Sequence, residues 1–168
     1  QGTKLYITPL STLAARVAGV SANGTVTGEL QSTDVEDANQ KIADVFGITV
    51  EDMLAPSNGI EPVVNSDGTP NTNAGNVGSV LAILSAAQKI FGNDVTSVIV
   101  NSIATNGELG AEAKFALLVA ANDDTITALG VDMSTVAAQN FELSAGDIAD
   151  LYTGNISTSL TFGSDDFG

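Results

Sequence analysis

The sequence predicts a mainly α fold, a compact multi-helix bundle with a small β element formed by its N- and C-terminal strands. Three observations predict it. Apolar residues recur at i, i+3, i+4 and i+7 in one segment after another. Capping residues stand where those stripes begin and glycines where several of them end. Runs rich in β-branched and aromatic residues sit at the two ends, "TKLYIT" at 3–8 and "ISTSLTF" at 156–162. At 168 residues the chain is the size of one domain with one core, so a single helical domain over 1–168 is expected.

Taken in order, the strand at 3–8 stops at Pro9, with Thr8 as N-cap and proline at the first helical position, where a missing N–H costs nothing. Leu10, Leu13, Ala14 and Val17 then line one face of a helix ending near Gly19. Residues 20–31 carry an Asn-Gly turn signal between short extended pieces, a loop or small hairpin. "TDVE" at 33–36 fits a capping box ahead of the stripe Ala38, Ile42, Val45 and Phe46, which Gly47 closes. Thr49 and Asp52 can cap a short turn through Met53 and Leu54 before Pro56 stops it.

Residues 56–76 hold three of the four prolines among Gly, Asn and Ser and read as a long loop. Beyond it Val77, Val80, Leu81, Leu84 and Phe91 mark a helix whose buried face Ile83 and Ile90 widen. Asn93 or Asp94 caps the next, through Val95, Val98, Ile99 and Ile103, and Gly107 and Gly110 bracket a break. "AEAKFALLVAA" at 111–121 is apolar on nearly every face after Lys114, which places it at the centre. Shorter helices are expected at 123–129 and 134–140, and Ser144 with Asp147 caps a last one carrying Ile148, Leu151 and Tyr152.

The formal charge is -15, from 20 acids against five bases. Phosphate backbones and anionic lipid are held by clustered Lys and Arg, so binding to nucleic acid or to a membrane surface is not expected. With no cysteine and no histidine, neither a Ser-His-Asp nor a Cys-His relay can be assembled, nor a zinc site of nitrogen and sulfur ligands. The longest apolar run, "FALLVAA" at 115–121, is too short to span a bilayer, and no signal peptide is seen. The start at Gln1 rather than Met reads as a processed product or an excised piece. Abundant Thr, Ser, Asn and Gly with scarce Lys and Arg suit a secreted bacterial protein of the cell surface.

Catalysis would have to rest on carboxylates, hydroxyls, four lysines or the single Arg16. The adjacent acids Glu51 and Asp52, Asp123 and Asp124, and Asp165 and Asp166 could supply general acid and base. Neighbours on a helix point apart, however, whereas a glycosidase needs carboxylates facing each other across a cleft. No enzymatic activity is expected. Calcium is the cofactor the residues would suit, since its oxygen ligands abound in "NSDGTPNTN" at 65–73 and "GSDDFG" at 163–168. The candidate ligands are Asp67, Asn71, Asn73, Asp165 and Asp166. The first stretch lacks the alternating acids and distal Glu of an EF-hand, and reads more readily as a flexible turn rich in Asn and Gly than as a metal site. The last two acids could bind calcium at the edge of a linker between tandem domains.

Asn23-Gly24-Thr25 and Asn155-Ile156-Ser157 match the N-glycosylation pattern, a match usually accidental in a bacterial chain. Arg16 lies off the apolar face and reads as a solvated or snorkelling residue. "GNVGSVLA" at 75–82 lacks the spacing of a phosphate-binding loop, so Gly75 and Gly78 read as sites of close packing.

Three phrases in this order, "ITPLSTLAARVAG" (7–19), "DANQKIADVFGITVEDMLAP" (37–56) and "GNVGSVLAILSAAQK" (75–89), resemble the helical modules found among immunoglobulin-like and calcium-binding repeats in very long bacterial surface and adhesin proteins. Such modules pair a strand with a "TPLT"-like helix start, here with Ser11 in place of the usual threonine, then an "FGL"-like helix end and an "LAALS"-like phrase. The likeness covers roughly the first half of the chain and weakens from Asn93 onward. It implies an extracellular scaffolding or adhesive role and transfers no catalytic residue. The expected partners are neighbouring domains of the same long chain, or identical subunits. Two alternatives stand beside a module of a surface adhesin: a surface-layer or filament subunit polymerising through its terminal strands, and a carboxylate-based polysaccharide-active enzyme.

Overall fold

The computed structural model describes residues 8–21, 23–26, 28–54, 67, 76–123 and 141–153. Among these are seven helices: α1 (Pro9–Val17), α2 (Ser32–Phe46), α3 (Val50–Leu54), α4 (Asn76–Phe91), α5 (Asp94–Asn106), α6 (Ala111–Ala121) and α7 (Ala145–Thr153). The protein is thus mainly helical. No sheet occurs among the described residues; extended pairing there is a single antiparallel bridge, Val20 to Val26. The expected strands at 3–8 and 156–162 lie outside the described residues apart from Thr8, which caps a helix. The expected helices at 123–129 and 134–140 also lie outside them, apart from Asp123.

α1 starts as its sequence dictates. Thr8 is extended, its Oγ1 accepts from the Ser11 N–H at 3.2 Å, and the Ser11 hydroxyl oxygen accepts from the Thr8 N–H at 2.8 Å. That reciprocal pair satisfies donors that a helix start otherwise leaves open. Leu10, Leu13 and Ala14 are buried from it. The bridge that follows is closed by an Asx turn, in which Asn23 Oδ1 accepts from the Thr25 N–H at 3.2 Å and the Thr25 hydroxyl at 2.8 Å. Asn23 and Thr25 of the first glycosylation pattern therefore hold this turn together.

α2 begins two residues earlier than the "TDVE" pattern suggests. Asp34, not Glu36, reaches back, its Oδ2 accepting from the Gln31 N–H at 3.0 Å, and Thr33 lies inside the first turn. Any acid three residues past a potential cap can play this part, and the segment offers two in overlapping frames. Leu30 and Val35 then occupy the two positions of a hydrophobic staple, which accounts for apolar residues at an exposed helix start. The stripe lies as expected, with Ala38, Ile42, Val45 and Phe46 buried, and Gly47 ends it at φ 65°. Thr49 Oγ1 accepts from the Asp52 N–H at 2.9 Å and opens α3, which buries Met53.

α4 buries Val80, Ile83, Leu84 and Ala87, but Ile90 is 38% exposed, contrary to the expectation that it widens the buried face. It lies on the flank of that face, whereas Phe91, one residue further on, packs against the core. α5 buries Val95, Ile99, Val100 and Ile103 and ends at Gly107, φ 73°. Gly110 is the N-cap of α6, so the two glycines do bracket the break. α6 packs against α4, α5 and α7, while α1 packs against α2, α3, α4 and α5. The core is thereby continuous from Leu10 and Phe46 to Leu117 and Ala120, and the helix that is apolar all round lies centrally within it. Phe141 joins this core, fully buried and edge-to-face with Phe46 at 6.1 Å between ring centroids.

Candidate functional site

A groove of about 350 Å³ lies between the start of α1, the C-terminal half of α4 and the N-terminal half of α5. Leu13, Leu84, Val95 and Ile99 form its floor, and Thr8, Thr12, Gln88 and Thr96 contribute the polar atoms. Thr12 Oγ1 donates to the Thr8 carbonyl at 3.1 Å, and Gln88 Nε2 donates to Thr96 Oγ1 at 3.1 Å. None of its lining side chains is titratable at neutral pH. Such a surface offers apolar contact and neutral hydrogen bonds, not proton transfer.

Polar side chains hold elements together elsewhere as well. Arg16, half-buried, donates from Nη2 to Ser97 Oγ at 3.2 Å, tying α1 to α5 across 81 positions of sequence. Lys114 of α6 forms an ion pair with Asp147 of α7, Nζ to Oδ2 at 3.0 Å. The same Oδ2 accepts from the Ser144 N–H and hydroxyl, each at 2.8 Å, and Ser144 Oγ accepts from the Asp147 N–H at 3.1 Å. Burial pushes the Asp147 carboxyl up; the Ser144 N–H, Lys114 and the Ser144 hydroxyl outweigh it and hold the carboxyl below its usual range.

Of the candidate calcium ligands, Asp67 is described and exposed, while Asn71, Asn73, Asp165 and Asp166 lie outside the described residues. Among the described residues no group of three or more acids gathers closely enough to hold a metal ion. Of the adjacent acid pairs, Glu51 and Asp52 are both exposed on α3, Asp123 is half-buried after α6, and Asp124, Asp165 and Asp166 lie outside the described residues. No described helix is long and apolar enough to cross a membrane.

Sequence reasoning passed over two residues that the structure brings forward. Glu112 is an acid only 6% exposed, one of three buried polar residues described. Its position in the first turn of a helix apolar on every side was the available signal, and the positive end of the helix favours an acid there. Phe141 follows the expected helix at 134–140 and falls outside its bounds. Comparison with protein-family models, curated proteins and solved structures finds no match for this chain.

Proposed function

We propose that this protein is a non-enzymatic structural module of a bacterial surface, acting as a spacer or adhesive unit beside other domains of a long extracellular chain. The observation that carries the reading is where the three adhesin-like phrases fall. Thr8, Leu10 and Leu13 cap and bury α1, Ile42, Phe46 and Gly47 bury and close α2, and Val80, Ile83 and Leu84 bury α4. Those phrases thus supply caps and core, the parts a scaffold needs. A strong negative charge with few bases suits a soluble surface that repels nucleic acid and anionic lipid.

Light scattering on a sizing column, with calcium and then with chelator, tests the reading. The expected mass is that of a 17.0 kDa monomer under both conditions. Polymers that persist in chelator would replace the module with a self-assembling surface-layer or filament subunit. Polymers lost in chelator would assign the acids to a calcium-bridged interface. Hydrolysis of a polysaccharide that Asp-to-Asn changes abolish would overturn the non-enzymatic reading.

A further inference from the structure

We propose that α7 is a releasable arm, fastened to the bundle at its first turn by the Lys114–Asp147–Ser144 cluster, so that loss of the Asp147 charge frees α7 while α1 to α6 stay folded. One oxygen atom joins two levels of structure. Asp147 Oδ2 takes two bonds from Ser144, which start the helix, and one from Lys114, which docks that helix on α6. A proton on that carboxyl weakens the start and the docking together.

From Ala145 to Leu151 the apolar side of the same helix is thin. None of its described side chains from Ala145 to Leu151 is buried; Leu151 is half-buried and Ile148 is 43% exposed. α1, α2, α3, α4, α5 and α6 each bury apolar residues. The charged residues of α6 are Glu112 and Lys114. Two residues apart, they point about 200° from one another around the helix, so Lys114 faces Asp147 and Glu112 faces away. On the segment leading into and along α7, the exposed Glu142 and Asp150 carry charge of the same sign as Asp147. Lys114 is therefore the base on α6 that opposes this acidic run.

Amide hydrogen exchange by NMR on the whole chain tests the proposal, reading Ile148 to Leu151 in α7 against Ile99 to Ile103 in α5. At pH 6, Asp147→Asn is expected to lower protection in α7 about tenfold and to leave α5 unchanged. Lys114→Met, which spares the Ser144 bonds, is expected to lower α7 protection by a smaller factor. In the unaltered protein, α7 protection is expected to hold from pH 6 down to about 3.9 and to fall below it ahead of α5, and in Asp147→Asn this pH-dependent loss disappears. Wild-type protection of α7 in Asp147→Asn, or equal losses in α7 and α5 in either variant, would overturn the proposal.

Discussion

α2 and α7 start with the same device: a carboxylate three residues past the cap, Asp34 or Asp147, accepts the cap residue's N–H at 3.0 Å or 2.8 Å. Past that first turn they diverge. α2 buries Ala38, Ile42, Ala43, Val45 and Phe46 and is part of the common core. α7 meets α6 through an ion pair, and its described side chains are exposed or half-buried. The difference teaches that a cap fixes where a helix begins, whereas apolar burial decides whether that helix melts with the rest. Each fully buried large apolar side chain contributes about 1.5–3 kcal/mol, against about 0–1 kcal/mol for an ion pair near the surface.

The sharpest break of that comparison is Phe46→Ala. It removes a fully buried ring and its edge-to-face contact with Phe141, and should cost about 3–5 kcal/mol of global stability in a urea titration. Next come the matched cap removals. Ser144→Ala should weaken α7 by about 1 kcal/mol, visible as faster amide exchange in α7 alone with an unchanged urea midpoint. Asp34→Ala, by contrast, should lower the midpoint of the whole bundle by about 0.5–1 kcal/mol, because α2 is joined to the core. A midpoint that falls in Ser144→Ala would merge the two helices into one cooperative unit.

Acid is a gentler probe. The Asp147 carboxyl is held below its unfolded value of about 3.9, so its contribution is fully present above that pH. It is lost as pH falls through the lower folded value, and α7 ellipticity should fall in that window and not nearer neutrality. The smallest effect is expected from Lys114→Met. It should cost α7 about 0.2–1 kcal/mol, a difference that fades when the same exchange measurement is made in high salt.

Much of the bundle was legible because its signals are local. Thr8-Pro9 followed by Leu10, Leu13 and Ala14 specifies α1 with its start and buried face, and Ser144 with Asp147 specifies the start of α7. Local signals misplace what depends on competing frames or on distant neighbours. Overlapping cap patterns hid the choice of Asp34 over Glu36, and helical spacing placed Ile90 inside because it does not fix how wide a face the neighbouring helices cover. Arg16 reads as solvated or snorkelling, and only the fold shows that α5 brings Ser97 beside it and that Phe46 lies against Phe141. The candidate site was less legible than the fold. The groove is assembled from α1, α4 and α5, whose lining residues are far apart in sequence. Lys114 and Asp147 are likewise 33 positions apart, so only the cap half of their cluster can be read locally.

The most direct measurement is a pH titration followed by NMR at the Asp147 carboxyl carbon and at the backbone amides of α2, α5 and α7. A carboxyl midpoint below about 3.9, with α7 amides shifting at that midpoint while α2 and α5 hold, is the predicted result. A midpoint at or above that value, or a single transition in which all three helices move together, would contradict it.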